Sequence, residues 1–239
     1  MILSHLLRKS FLAILIAPAL LVADSVPLAF ALTRDLQLPA WDRPVHGLSL
    51  TLFDVTHDAG LVGIGIALGG QDVSVSEVDG IQISGIMNAS GDVNGLQIAG
   101  LVNMARSFRG SMISGFVNIG GAYGTRYSSG LQLALFSNSV EFMESGKEGR
   151  TSLLDGAQIS LGLNRAHHLR GIQASTLGNE ATQCLGLQVG LVNYAEELHG
   201  IQMGLYNRAI SGVGIQIGLI NNFGAGEDSL WLPFVNGRF

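Results

Sequence analysis

The side chains able to do chemistry in this chain are mostly amides, and they recur on a fixed period. Gln82, Gln97, Gln132, Gln158, Gln173, Gln188, Gln202 and Gln216 each stand two residues after a glycine, with Met112 filling the one gap in the series. Asn88, Asn103, Asn118, Asn138, Asn164, Asn179, Asn193, Asn207 and Asn221 each follow that position by five or six residues. A primary amide carries two donors and one acceptor oxygen. A row of them can therefore bond amide to amide along a stack, or line a surface that reads a glycan or peptide. The same residue type in every copy points to the stack, because recognition surfaces vary from repeat to repeat. A generic polar turn would take Asp or Ser as readily as Asn.

The remaining reactive residues are scattered. Asp54, His57 and Asp58, with Asp72 beyond, contain ligand types for a metal, but no second cluster with ligand spacing accompanies them, and solvated turn residues are the simpler reading. His167-His168 and Glu196-Glu197-x-His199 fall in linkers two copies apart, where stacking at about 4.8 Å per copy would bring them within about 10 Å. Exposed turn residues again account for them. Gly63-Ile64-Gly65 with Gly69-Gly70 lacks the surrounding βαβ unit of a dinucleotide fingerprint. Nucleophile-elbow, Walker and His-Glu-x-x-His patterns are absent, as is the calcium-binding nonapeptide of secreted β-rolls. These absences lead to the expectation of a protein that is not an enzyme and needs no cofactor or metal.

The elements that hold the amides follow from the phrase around them: Gly, aliphatic, Gln, aliphatic, Gly/Ala/Ser, aliphatics, Asn. It opens at Gly80, Gly95, Gly110, Gly130, Gly156, Gly171, Gly186, Gly200 and Gly214, in steps of 15, 15, 20, 26, 15, 15, 14 and 14 residues. Gly47 to Phe53 and Gly63 to Leu68 read as degenerate copies without the Gln and Asn. Each unit is a short Leu/Ile/Val run, too short for a helix, and alternation places Leu96, Ile98 and Gly100 on one side with Gln97, Ala99 and Leu101 on the other. Polar linkers such as Glu196 to His199 suit turns, and the mid-phrase Ser84-Gly85 and Ala99-Gly100 suggest corners or bulges.

Two all-β architectures fit. One is a narrow parallel β-solenoid of 14–16-residue coils, in which Leu and Ile stack into an apolar column and Asn at a fixed corner forms a ladder. The other is a closed antiparallel barrel of the outer-membrane type, each copy one crossing strand. The terminal run Trp231 to Phe239 is similar to the closing strand of such barrels, although Pro233 and Gly237 interrupt it. A barrel has unlike ends and a natural period of two strands, whereas the period here is one. The two insertions, 119–129 and 139–155, are also consecutive, and emerge on one side only in a solenoid. The solenoid is the expected fold.

Composition sets the compartment. The chain is 13 % charged with a mean hydropathy of +0.38, which implies either a narrow core burying much of it or a face that meets lipid. Its net charge of −5 and two lysines leave no basic stripe for nucleic acid. Arg8-Lys9, the apolar run Phe11 to Ala23 and Ala29-Phe30-Ala31 predict a signal peptide over 1–31 and a mature start at Leu32. Thirteen apolar residues are short for a membrane span. Arg8-Lys9-Ser10-Phe11-Leu12 is only faintly like a twin-arginine signal. Cys184 is the single cysteine, which excludes an intramolecular disulfide and leaves no lipid acceptor at the cleavage site. The organisation expected is a leader over 1–31, N-terminal strands and cap over 32–79, nine repeats over 80–226 and a closing strand over 227–239.

The phrase G-L-Q-x-G-L-x-N, the leader and the closing Leu232-Pro233-Phe234-Val235-Asn236-Gly237-Arg238-Phe239 together resemble an uncharacterised family of Gram-negative surface-repeat proteins. The resemblance covers Gly80 to Phe239, extending to Pro44 if the family's first strand is included. It implies an exported, envelope-associated protein; the repeat and its two insertions lead to the expectation of a structural or adhesive role. Its partner would be an envelope or surface component, with association to the outer membrane, and it supplies no catalytic residues. Some members look like lipoproteins, a route this chain lacks.

Overall fold

The computed structural model describes residues 25–33, 36–38, 43–56, 59–74, 76–121, 127–140 and 152–239. The fold is a parallel β-solenoid of about ten turns with coils of about 15 residues. Equivalent residues stack from coil to coil: Gly63 pairs with Gly80, Gly80 with Gly95 and Gly95 with Gly110, and the register continues through Gly130, Gly156, Gly171, Gly186 and Gly200. The degenerate stretches are full coils, since Gly47 pairs with Gly63 in the same column. Successive coils are parallel, which rules out the antiparallel barrel.

The opening glycine of each phrase sits at a close approach of backbone to backbone. Gly186 has φ +148°, and a Cβ built on it would lie 2.0 Å from the carbonyl oxygen of Gly171 in the coil before. No side chain fits there, which is why the glycine recurs in every copy. The second small residue marks a bend, and this bend overturns part of the alternation read from the sequence. Gln97 and Ala99 are buried as a pair, but the chain turns at Gly100, so Leu101 is 51 % exposed.

The core is narrow and largely made of small residues and amides. Ala105, Ala166, Ala181, Ala195 and Ala209 form one inward column two residues past the Asn, and Phe108, Leu154, Leu169, Cys184 and Leu198 form another. The Leu/Ile column expected from the phrase does form, but on the outside. Ile172, Val189, Ile201, Met203 and Ile217 are 37–44 % exposed, while the glutamines between them are fully buried.

Both ends carry an antiparallel strand. At one end Leu36–Leu38 folds back on Val26–Thr33, and at the other Leu230–Arg238 pairs with the last coil. Such strands stop the ladder from recruiting a further chain in the same register. Pro233 stands where the pairing skips, between Gly218↔Phe234 and Asn221↔Leu232, so its missing N–H interrupts nothing. Val26–Thr33 is itself a parallel coil segment on Val45–Thr51, with Val26 and Ala29 in the core. Cleavage after Ala31 would therefore remove most of this strand and leave Val45–Thr51 as the end of the rod. Residues 1–24 of the expected leader lie outside the described residues.

The insertions behave as a solenoid requires. Val117–Gly120 and Ser137–Val140 are paired neighbours where the chain leaves the coil, and Tyr127–Ala134 pairs with Leu153–Ser160 where it returns. Residues 122–126 and 141–151 lie outside the description.

Gly186→Ala should cost at least about 1–3 kcal/mol, from its positive φ alone. Glu196→Ala, in an exposed linker, should stay within about 0.5 kcal/mol. Thermal unfolding of the two variants checks this, and equal midpoints would contradict the glycine column.

Candidate functional site

The repeated amides form two continuous columns inside the rod. Asn88, Asn103, Asn118, Asn138, Asn164, Asn179, Asn193, Asn207 and Asn221 are 0–3 % exposed. Each donates from Nδ2 to Oδ1 of the asparagine in the next coil at 2.8–3.0 Å, without a break from Asn88 to Asn221. Each also donates to a backbone carbonyl in the next coil, as from Asn193 to Met203 O at 2.9 Å. Each link thus joins adjacent coils by both a side-chain and a backbone acceptor.

The glutamine column runs the other way. Gln97 donates from Nε2 to Gln82 Oε1, and Gln158, Gln173, Gln188, Gln202 and Gln216 each donate to the glutamine of the preceding coil, all at 2.8 Å. A second donation crosses the coil's interior to the carbonyl of the residue after the Asn, as from Gln202 to Arg208 O at 3.1 Å. The glutamines therefore brace the two sides of each coil as well as joining coils. Met112 interrupts the column: Gln132 Nε2 finds a sulfur there, at 3.7 Å, beside Ser139 O at 3.4 Å, and Gln97 Oε1 is buried without a partner.

One amide was missed in the sequence. Gln71 pairs in register with Asn88, so a glutamine fills the asparagine column in that coil, donating to Ile83 O at 3.0 Å. Gly65 stands opposite Gln82, and a Cβ there would lie 2.1 Å from Gln71 Oε1. The longer side chain in one column is accommodated by the absent one in the other. The signal was present as Gly65 and Gln71 together, but a search for Gln after Gly passes over it.

These columns are occupied with themselves. The Gln and Asn of the two columns are at most 3 % exposed, so the glycan- or peptide-reading surface considered for the glutamines is replaced by an internal ladder.

The titratable residues lie outside. His168, Gln183 and Glu197 stack in register on three successive coils. His168 Nδ1 contacts Gln183 Oε1, Gln183 donates to Glu197 Oε2 at 2.8 Å, and His199 Nε2 lies 2.9 Å from Glu197 Oε1. The two linkers are thus brought together, through Gln183, as an exposed row. Neighbouring pairs are Arg165–Glu180 at 3.0 Å and Arg170–Asp155. The hydrogen bond from Arg170 holds Asp155 below the usual carboxylate range, and that from His199 does the same for Glu197. Burial, then the neighbouring His168, lowers His167. These are cross-coil surface pairs, and such pairs contribute little to stability.

No group of three or more metal-ligating side chains occurs among the described residues. Asp72 accepts the backbone N–H of Ser74 at 3.0 Å, an ordinary turn contact. Asp54 lies on the strand Asp54–Thr56, and His57 and Asp58 are outside the described residues. A shallow depression near the N-terminal coils is lined by His46, Ser76, Glu77 and Asp79 together with Pro44, Leu61 and Val62. Cys184 is 1 % exposed, and burial pushes its thiol up to about 12.

No family model, no curated protein and no solved structure matches the chain.

Three measurements test the ladder. Asn193→Ala leaves Asn179 without its acceptor and Asn207 Oδ1 without its donor, and should cost about 1–3 kcal/mol. Ser160, outside both columns, has a buried hydroxyl without a partner, so as a contrast Ser160→Ala should be neutral or stabilising by thermal unfolding. Met112→Gln should supply Gln97 with its missing donor and Gln132 with an oxygen acceptor, raising stability by about 1 kcal/mol. A lower melting temperature for Met112→Gln would contradict the column as described. Separately, Cys184 should resist thiol reagents at pH 8 in the folded protein and react fully in denaturant, because the thiolate is the nucleophile.

Proposed function

We propose that the chain is an exported, non-enzymatic repeat protein of the cell envelope with a structural or adhesive role, acting through its surface rather than a reactive centre. The observation that carries this reading is the disposition of the repeat. Its polar side chains are turned inward and bonded to one another, and its aliphatic side chains are presented outward along the rod. An active site requires convergent, accessible polar groups in a cleft. The described surface offers instead long rows of one residue type, which suit extended contact.

The leader-like segment and the resemblance to Gram-negative surface-repeat proteins support the envelope as the place. The parallel solenoid removes the porin-like barrel as an alternative, while leaving a rod that lies against a membrane or another envelope component. Neither nucleic acid nor a cofactor enters this reading, given the acidic balance and the burial of the repeated amides.

Expression in a Gram-negative host with fractionation tests it. The protein should sediment with the envelope and be released by carbonate as a peripheral protein. Intact mass should show a start at Leu32. Recovery from the cytoplasm with residues 1–31 retained would overturn the reading.

A further inference from the structure

We propose that the outward aliphatic face of the rod is a self-association surface, on which two copies pack back to back. The face is built from the residues one and three places after the opening glycine, with the ridge at the following corner. On the flat part Ile172, Ile201 and Ile217 are 39–44 % exposed, and on the ridge Leu101, Leu161 and Leu205 are 51–62 % exposed. From Gly80 to Asn221, no charged residue stands between the glycine and the asparagine of any of the nine copies. The charged residues of the later coils, such as Arg165, Arg170, Glu180 and Glu197, all lie on the return segments.

The dimensions suit a dimer. About ten coils at roughly 4.8 Å each, and a flat segment of about five residues at roughly 3.3 Å per residue, give a face on the order of 800 Å². The largest apolar patch on a typical monomer is about 300–600 Å². A stable complex buries about 800 Å² on each partner. Two such faces would therefore meet the requirement, packing about 10 Å apart as sheets do.

Two further features select a second copy over a lipid surface. The side chains stand in rows repeating at the coil spacing, so ridges and grooves interlock only with a partner of the same period. A second copy has that period by construction, and a twofold axis lying in the plane of contact sets the face against itself. Peripheral membrane binding by an apolar face is normally joined to basic residues that meet anionic headgroups. This chain has a net charge of −5 and two lysines, and the border before the opening glycines is mixed in sign, with Asp79 and Asp155 beside Arg109 and Arg170, so no uniformly basic rim meets the face. Backbone pairing plays no part, because the contact uses the sheet's face and the capped ends keep its edges out of it.

The pairing does not depend on where the protein resides, so its failure and that of the envelope reading are separately visible. The exported chain is examined by light scattering after gel filtration and by sedimentation equilibrium over the micromolar range. A discrete dimer is expected. Ile201→Glu and, separately, Leu205→Glu place two like charges at the contact of each dimer and should weaken association at least tenfold. Their strand signal in circular dichroism should be unchanged, since both side chains point away from the core. Glu197→Ala, on the return segment, should leave the dimer intact. A monomer throughout the range overturns the proposal. So does a dimer that persists in both glutamate variants, or a monomer that floats with neutral phosphatidylcholine vesicles, which would assign the face to lipid.

Discussion

A primary amide removed from water must find its partners inside, and this requirement organises the rod. Each buried Asn or Gln has two donors and an acceptor, and leaving one unmatched costs about 1–3 kcal/mol. Away from Met112 and the column ends, the partner is the same residue one coil away, together with a carbonyl of a neighbouring segment. A coil displaced along its chain by one residue would put an aliphatic side chain where the amide belongs and strand two amides at once. The amides therefore set the register, and the register in turn aligns the glycines whose backbones touch. The apolar interior alone would not do this. Columns of Ala and of Leu or Phe are tolerant of a shift, whereas a hydrogen bond of 2.8 Å is not.

The interior arrangement was legible in the sequence because it is periodic. Asn193 announced its column by recurring in all nine copies and Gln188 by recurring in all but the copy with Met112, and the step of 14 or 15 residues gave the coil. The direction in which the aliphatic residues point was harder to read. Leu96 and Ile98 alternate with Gln97 in any strand, and pattern alone does not say which set faces the core. The usual rule puts Leu and Ile inside, and here it fails, because a column of paired amides beside Ala and Ser fills the narrow interior. Leu101 was misplaced for a second reason: the bend at Gly100 resets the alternation.

The ends were less legible. Val26–Thr33 reads as the tail of a leader because small residues follow an apolar run, yet the same small residues fit the first coil, where Ala29 packs in the core. Gln71 escaped because it occupies the asparagine column, where its extra methylene is accommodated only through Gly65. The closing strand has the alternation of a barrel strand, and in isolation an antiparallel cap looks the same. The candidate site was legible only as an inventory. Stacking joined His168 to Glu197 through Gln183, a residue that no motif singles out.

The two amide columns point in opposite directions, asparagine donating toward the C-terminal end and glutamine toward the N-terminal end. An aligned row of amide dipoles accumulates partial charge at its tips, as the peptide groups of a helix do. In this rod the two rows oppose each other, and their moments largely cancel along the axis. Lengthening the stack by one coil adds a bond to each row without building a field. The electrostatic penalty that would limit a one-directional row is absent, so coil number is free to change by duplication or loss of a 14- or 15-residue unit.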